Sequence, residues 1–303
     1  MIHDADQYHA EVNLRGRKLI LTIILNLLIT VAQIIGALFA NSLALLSDAF
    51  HNFSDTSSLF ISYIANHLIK RKSTKKHTFG YKRAEIIAAF VNSSFLLVVA
   101  AYIIYESVNR IITPGETLVN PVLVMILAGF SIIMNGLSVL IIYKDAHTNM
   151  NLKSAYLHLF TDMLSSIAVL AGGIAIYFFG IHIIDPILSI IIAFYLIVFG
   201  WKLVNQSLQV LMQFTPKGID IEEIALDLSG FQKIKNIHHA HAWRLNDDEI
   251  MFEAHVEFSE DLSISEVGDV MKAMRFHLKK QYDIHHTTFQ PEYEVSCKKD
   301  LIH

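Results

Sequence analysis

Six stretches of this chain, approximately 18–40, 43–69, 86–111, 119–143, 154–179 and 183–209, are long and apolar enough to cross a bilayer. The hydrocarbon core demands roughly 20 mostly apolar residues in helical form, because every backbone N–H and C=O there must be bonded within its own segment. Composition agrees. Apolar residues make up 53% and charged residues 17%, against ~45–50% and ~25% in soluble domains, and the mean hydropathy is +0.43. The expected fold is therefore an α-helical membrane protein with six transmembrane helices, followed by a C-terminal cytoplasmic α+β domain. Its divisions are an N-terminal segment (1–17), a membrane domain (18–211), a hinge (212–220) and a soluble domain (221–303). Residues 1–14 are polar and acidic, without the basic start and small-residue cleavage site of a signal peptide, so the first span is expected to be retained.

Orientation follows from the short loops. Arg15, Arg17 and Lys18 precede span one; Lys70, Arg71, Lys72, Lys75, Lys76, Lys82 and Arg83 lie between spans two and three; Lys144 and Lys153 flank the loop after span four. The opposite side carries only Arg110. Both termini are thus expected on the cytoplasmic side; the cytoplasmic (inner) membrane is expected as location from the type of protein alone. Lys plus Arg is 24 against 28 for Asp plus Glu, so no nucleic-acid partner is expected. A single cysteine, Cys297, leaves no internal disulfide framework and no Cys-rich zinc module.

Beyond Met212 the pattern becomes soluble. Thr215-Pro216-Lys217-Gly218 reads as a hinge, Ile221–Ser229 as a short helix, and Ile234–Arg244 and Ile250–Phe258 as strands. The second strand alternates, with Ile250, Phe252, Ala254, Val256 and Phe258 on one face. Ser263 and Glu266 form a capping box that opens a helix, with Val267, Val270, Met271, Met274 and Leu278 at helical spacing. Ile284–Val295 supplies a third strand, giving an αββαβ order that suggests a small sheet with helices on one face.

Span two carries Asp48, His51 and Asp55, which fall within one ~60° arc at 100° per residue. An ionisable group at membrane depth costs at least ~2.5–3.5 kcal/mol, so such a seam must face a cavity, a partner or a ligand. Span five repeats the pattern with His158 and Asp162. Of the sixteen histidines, only His51 and His158 have an aspartate four residues later. Two helices presenting such pairs inward can bring two imidazole nitrogens and two carboxylate oxygens together, a donor set suited to tetrahedral Zn²⁺. The two carboxylates also cancel the charge of a divalent ion. The roles of Asp48 stay open between proton relay, partner to His51, ligand and helix packing. Asn26, Gln33, Asn92 and Asn135 read as interhelical hydrogen bonders.

The six spans, Ser47-Asp48-Ala49-Phe50-His51-Asn52-Phe53-Ser54-Asp55, the stretch His77-Thr78-Phe79-Gly80-Tyr81-Lys82-Arg83-Ala84-Glu85, the His158/Asp162 pair and the C-terminal sheet together resemble the cation diffusion facilitator family. The resemblance covers nearly the whole chain. It implies a homodimeric metal/proton antiporter, with Zn²⁺ carried by His51, Asp55, His158 and Asp162, and a ferredoxin-like cytoplasmic domain. Histidine at the first of these positions goes, in that family, with zinc preference; Co²⁺, Fe²⁺ and Cd²⁺ are further candidate cargoes. The short link Lys144–Lys153 between spans four and five, without a His-rich insert, favours a bacterial-type member. The resemblance maps cytoplasmic metal ligands onto His238, His255 and His286, with Thr288 where some relatives carry a bridging Asp. Glu253, Glu257, His241 and Cys297 are candidates to complete that site, and His77 is a candidate for a separate one.

Two rival readings use the same residues. An intramembrane metalloprotease requires a base beside its ligands, as in His-Glu-x-x-His, and the sequence contains none. A membrane metal sensor or assembly protein that does not transport would use the soluble sheet but leave the buried His–Asp pairs without a purpose. The chain is therefore expected to be a secondary transporter, not an enzyme.

Overall fold

A computed structural model describes residues 27–28, 30–69, 73–113, 118–143, 150–246, 249–295 and 299–302. The N-terminal segment, the start of the first expected span and Cys297 lie outside the described residues. The elements run α1 (Thr30–Ala40), α2 (Leu43–Ile69), α3 (Ala84–Ile112), α4 (Pro121–Tyr143), α5 (Met150–Phe179), α6 (Ile184–Leu211), α7 (Ile221–Ser229), β1 (Ile234–Arg244), β2 (Ile250–Phe258), α8 (Ile264–Tyr282) and β3 (His286–Glu292). They fall into two compact units: one of residues up to Ile64 with Val91–Val204, the other of Ala65–Phe90 with Asn205–His303.

The first unit is helical. Among the described residues, three helical stretches are long and apolar enough to cross a membrane: Ala84–Ile112, Leu159–Phe179 and Ile184–Leu211. Their outer faces leave Val98, Tyr105, Phe194 and Trp201 exposed. So much exposed apolar surface marks a membrane-facing exterior. The interior collects Leu45, Leu96, Ile103, Val169 and Leu196. Small residues let helices approach. At Gly173 an added Cβ would lie 3.1 Å from Val124 and 3.2 Å from Met125, so α5 packs tightly on α4. Polar side chains reinforce the packing, as the sequence suggested for Asn92 and Gln33. Asn92 donates to the Ser54 carbonyl at 3.1 Å and to Ser58 Oγ at 3.2 Å, and Gln33 accepts from Asn52 at 3.3 Å.

In the second unit, α7, β1 and β2 begin and end where their patterns placed them and α8 begins after Ser263 as expected, whereas β3 is shorter than the expected 284–295. The sheet order is β1-β2-β3, with β1 and β2 antiparallel and β2 and β3 parallel. A parallel pair needs a crossover, and α8 supplies it. Ile224 and Leu228 of α7, Ile237, Ala240 and Ala242 of β1, the apolar face of β2, and Met274 and Leu278 of α8 share one core. Asp220 caps α7, accepting from the N–H groups of Glu222 and Glu223. The capping box on α8 is formed: Glu266 accepts from the Ser263 N–H and hydroxyl at 3.0 and 2.7 Å. These bonds, with Lys233 nearby, hold the Glu266 carboxyl down at about 2. The same unit ties the α2–α3 loop to the β1–β2 turn, with Lys82 Nζ reaching both Glu249 oxygens at 2.5 and 2.6 Å.

Leu278 is fully buried, and its truncation to Ala is expected to cost ~2–5 kcal/mol. Ser263→Ala is expected to loosen only the first turn of α8. Because the Glu266 pKa is depressed, its contribution is present above the ordinary carboxyl value of 4.5 and fades as pH falls toward 2. Hydrogen exchange along α8 reads both: faster throughout the helix for Leu278→Ala, faster only near residues 264–267 for Ser263→Ala.

Candidate metal centres

Helix α2 turns its polar seam inward. Ser47, Asp48, His51 and Ser54 are buried, and the Asp55 side chain is 23% exposed. His51 Nε2 lies 2.9 Å from Asp162 Oδ1 on α5, and His51 Nδ1 lies 3.7 Å from Asp55 Oδ2 one turn along α2. One ligand atom from each of His51, Asp55 and Asp162 can be chosen so that all lie within 4.8 Å of one another. Zinc bonds of ~2.0–2.2 Å in a tetrahedron place neighbouring ligand atoms about 3.4 Å apart, so small side-chain adjustments suffice to close this group on an ion. The imidazole is walled by α6, with Tyr195 and Phe199 edge-on at ring-centre distances of 5.8 and 6.4 Å. The backbone of His158 sits in α5 one turn before Asp162; its side chain lies outside the described residues.

Asp48 is not part of this group. It is buried and accepts a hydrogen bond from Ser166 at 3.0 Å, and Ser166 in turn lies 2.9 Å from Ser131. The α2–α5 contact therefore has two rungs: His51 with Asp162, and Asp48 with Ser166 four residues further along α5.

A second group forms on the sheet. His255 Nδ1 lies 2.7 Å from Glu292 Oε1, and His238 Nε2 lies 3.2 Å from Glu292 Oε2. His238 and Glu292 are buried and His255 is partly so. Register explains the meeting. His238 pairs with His255 across β1 and β2, and Glu257 with Glu292 across β2 and β3, so Glu292 is the diagonal neighbour of His255 on the same face. A break in the β1 register between His238 and His241, with His239 at φ 50°, lets His239 also stack on His255 at 4.7 Å. Left-handed backbone at a non-glycine residue is uncommon, and here it serves a bulge. The tail secures that bulge: the N–H groups of His239 and Ala240 donate to the carbonyls of Asp300 and Leu301 at 3.1 and 2.8 Å. Lys299 and Lys235 both reach the buried Glu257 and hold its carboxyl below the usual range.

The structure does not bring His286 to this group. His286 is exposed and pairs with Met251, six residues before Glu292. At about 3.3 Å per residue that separation is about 20 Å, too far for a shared ion. The sequence reading missed Glu292. The available signal was its parity with His286 on β3, but the register needed to use it lies in the pairing, not in the chain. His241 pairs with Glu253 and both line a separate cavity of about 380 Å³ that also includes Gln213, Thr215 and Trp243. Thr288 pairs with Glu253 across β2 and β3. His77 is exposed, stacks on Tyr81 at 5.1 Å and lies 3.3 Å from the Thr74 hydroxyl, so it shapes a turn and belongs to neither group. His277, 3.0 Å from Asp227, ties α8 to α7.

The comparisons with known proteins agree with this architecture. A family model described as the cation efflux transmembrane domain matches residues 19–212, and one described as the cation efflux protein cytoplasmic domain matches residues 216–294. The chain belongs to the cation efflux family, whose members are multi-pass membrane transporters, and it is not an enzyme. It is 34% identical over 265 residues to the cadmium, cobalt and zinc/H(+)-K(+) antiporter of Bacillus subtilis (strain 168), covering 88% of this chain and 85% of that protein. It is 32% identical over 281 residues to the zinc transporter ZitB of Yersinia pestis, covering 92% and 88%. It is also 32% identical over 262 residues to the metal cation efflux system protein CzcD of Cupriavidus metallidurans, covering 86% and 82%.

The two assignments on β3 separate cleanly. With full-length protein, Glu292→Ala is expected to weaken zinc binding at the cytoplasmic group by about tenfold or more, and His286→Ala to leave it unchanged, measured by calorimetric zinc titration in an Asp55→Ala background.

Proposed function

We propose that the protein exports Zn²⁺ from the cytoplasm in exchange for protons, by alternating access at His51, Asp55, His158 and Asp162. The observation that carries this is a buried imidazole held between carboxylates from two helices, His51 between Asp55 and Asp162. The names of the Bacillus subtilis and Yersinia pestis relatives include zinc, and that of the former includes H(+).

The chemistry of exchange follows from the donor set. Zinc binds neutral imidazole and ionised carboxylate, so loading expels protons and protonation expels the ion. A site open to the cytoplasm loads; rocking of helices exposes it to the opposite side, where protons return to the same side chains. In a cell negative inside, moving two charges outward costs ~4.6 kcal/mol per 100 mV, from ~2.3 per charge. Each counter-transported proton offsets half of that and adds the pH gradient.

Around this core the reading includes six spans, both termini in the cytoplasm of a cell whose inner membrane holds the protein, and a homodimer joined through ferredoxin-like cytoplasmic domains. His238, His255 and Glu292 form a second, regulatory zinc site in those domains. Binding there draws the domains together and biases the membrane helices, a coupling between distinct sites. A sensor that does not transport has less support, since nothing in that role calls for buried His–Asp pairs on two helices.

Proteoliposomes holding the purified protein test the reading with a fluorescent zinc reporter. Zinc flux is expected to require an opposing pH gradient. Asp55→Ala and Asp162→Ala are each expected to abolish it, because a divalent ion facing one carboxylate keeps a net charge in a poorly solvating place. Wild-type flux in either variant would defeat the site.

A further inference from the structure

At the far end of α2 from the cytoplasmic loop, a carboxylate from another helix organises the start of the segment that carries His51 and Asp55. A helix begins with backbone N–H groups that have no partner within it. In α2 each of them is accounted for. Asp185, on the first turn of α6, accepts from the N–H of Leu43 at 2.8 Å and of Ala44 at 3.4 Å. Ser42 accepts from the Leu45 N–H through its hydroxyl oxygen at 3.1 Å and from the Leu46 N–H through its carbonyl at 3.1 Å. The Ser42 hydroxyl in turn donates to Asp185. Asp185 is 2% exposed and lies 142 residues from Leu43 in sequence, so this is a tertiary clamp and not local capping. Its negative charge also suits the positive end of the α2 dipole.

The same turn is fastened from other sides. Arg110 of α3 donates to the Asn41 carbonyl and Oδ1 at 2.8 and 2.9 Å, and the Asn120 N–H donates to the Ala40 carbonyl at 2.8 Å. Asn41, at φ 52°, takes the left-handed backbone that the tight α1–α2 turn needs.

From this clamp α2 and α6 contribute to one place. His51 is eight residues beyond Leu43, about 12 Å along α2, while Tyr195 and Phe199 are ten and fourteen residues beyond Asp185, about 15–21 Å along α6. These are the rings that wall the His51 imidazole. A slip of α2 by one residue would shift it by about 1.5 Å and turn it by about 100°, enough to take His51 away from Asp162. We propose that Asp185 is a positioning residue for transport: by clamping the first turn of α2 to α6 it sets the height and rotation of α2, and so aims His51 and Asp55 at the ion. This rests on the transport site proposed above.

The test is zinc flux through full-length protein in proteoliposomes as a function of zinc concentration. Asp185→Ala is expected to raise the half-maximal zinc concentration by about tenfold or more, the scale seen when residues that orient metal ligands are removed. Asp185→Asn retains an acceptor oxygen and is expected to give a smaller rise, and Ser42→Ala a similar one. A half-maximal concentration equal to wild type in Asp185→Asn and Ser42→Ala, with only protein yield or maximal flux reduced, would overturn the proposal; these two variants decide the matter if Asp185→Ala does not accumulate. Wild-type flux in Asp55→Ala would instead defeat the transport site itself, whereas a dead Asp55→Ala beside unshifted Asp185→Asn and Ser42→Ala defeats only this inference.

Discussion

Ionised side chains lose most of their solvation when they leave water for the interior of a membrane protein, and the arrangement around His51 answers that cost. Its imidazole has Asp162 at one ring nitrogen and Asp55 at the other. Asp162 is within hydrogen-bond reach of Nε2, and Asp55 sets a second carboxyl group 3.7 Å from Nδ1. Such a cluster is costly without a cation, whether protons or a divalent ion, to balance its charge. Mutual dependence of this kind ties α2 to α5 at the level of the His51 cluster. The Asp48–Ser166 rung makes the same tie one turn away with a neutral partner.

Because α2 carries three acidic or imidazole side chains on one face, its axial position matters more than that of an apolar helix. Hydrocarbon packing tolerates small slips; hydrogen-bond geometry does not. The directional contacts of α2 are spread along its length accordingly: Asp185 and Ser42 at its first turn, Asp162 and Ser166 in the middle, and Asn92 with Ser54 and Ser58 further on. Apolar contacts such as Phe50 against Phe95 fill the space between.

The cytoplasmic unit solves a related problem with a sheet. The break in register between His238 and His241 brings two imidazoles, His238 and His239, against His255, and the tail bonded to that bulge holds it in place. Glu257, neutralised by Lys235 and Lys299, fastens the tail to the same strand pair. A metal drawn to His238, His255 and Glu292 would therefore bear on the bulge, the tail and the central strand together.

Much of this was legible in the chain. Length and hydropathy set the helical membrane part, alternation set β2, and Ser263 with Glu266 marked the start of α8. The His-x-x-x-Asp spacing singled out His51 and Asp55 because i and i+4 share a helix face whatever the surroundings. Those features depend on neighbours within a few residues. Glu292, Asp185 and the exclusion of His286 do not. Glu292 matters only because β3 pairs with β2 in one particular register, and Asp185 only because α6 starts beside α2. Local sequence dictates which way a side chain faces on its own element. Which other element lies opposite is settled by packing among segments tens to hundreds of residues apart, and only the tertiary structure decided it.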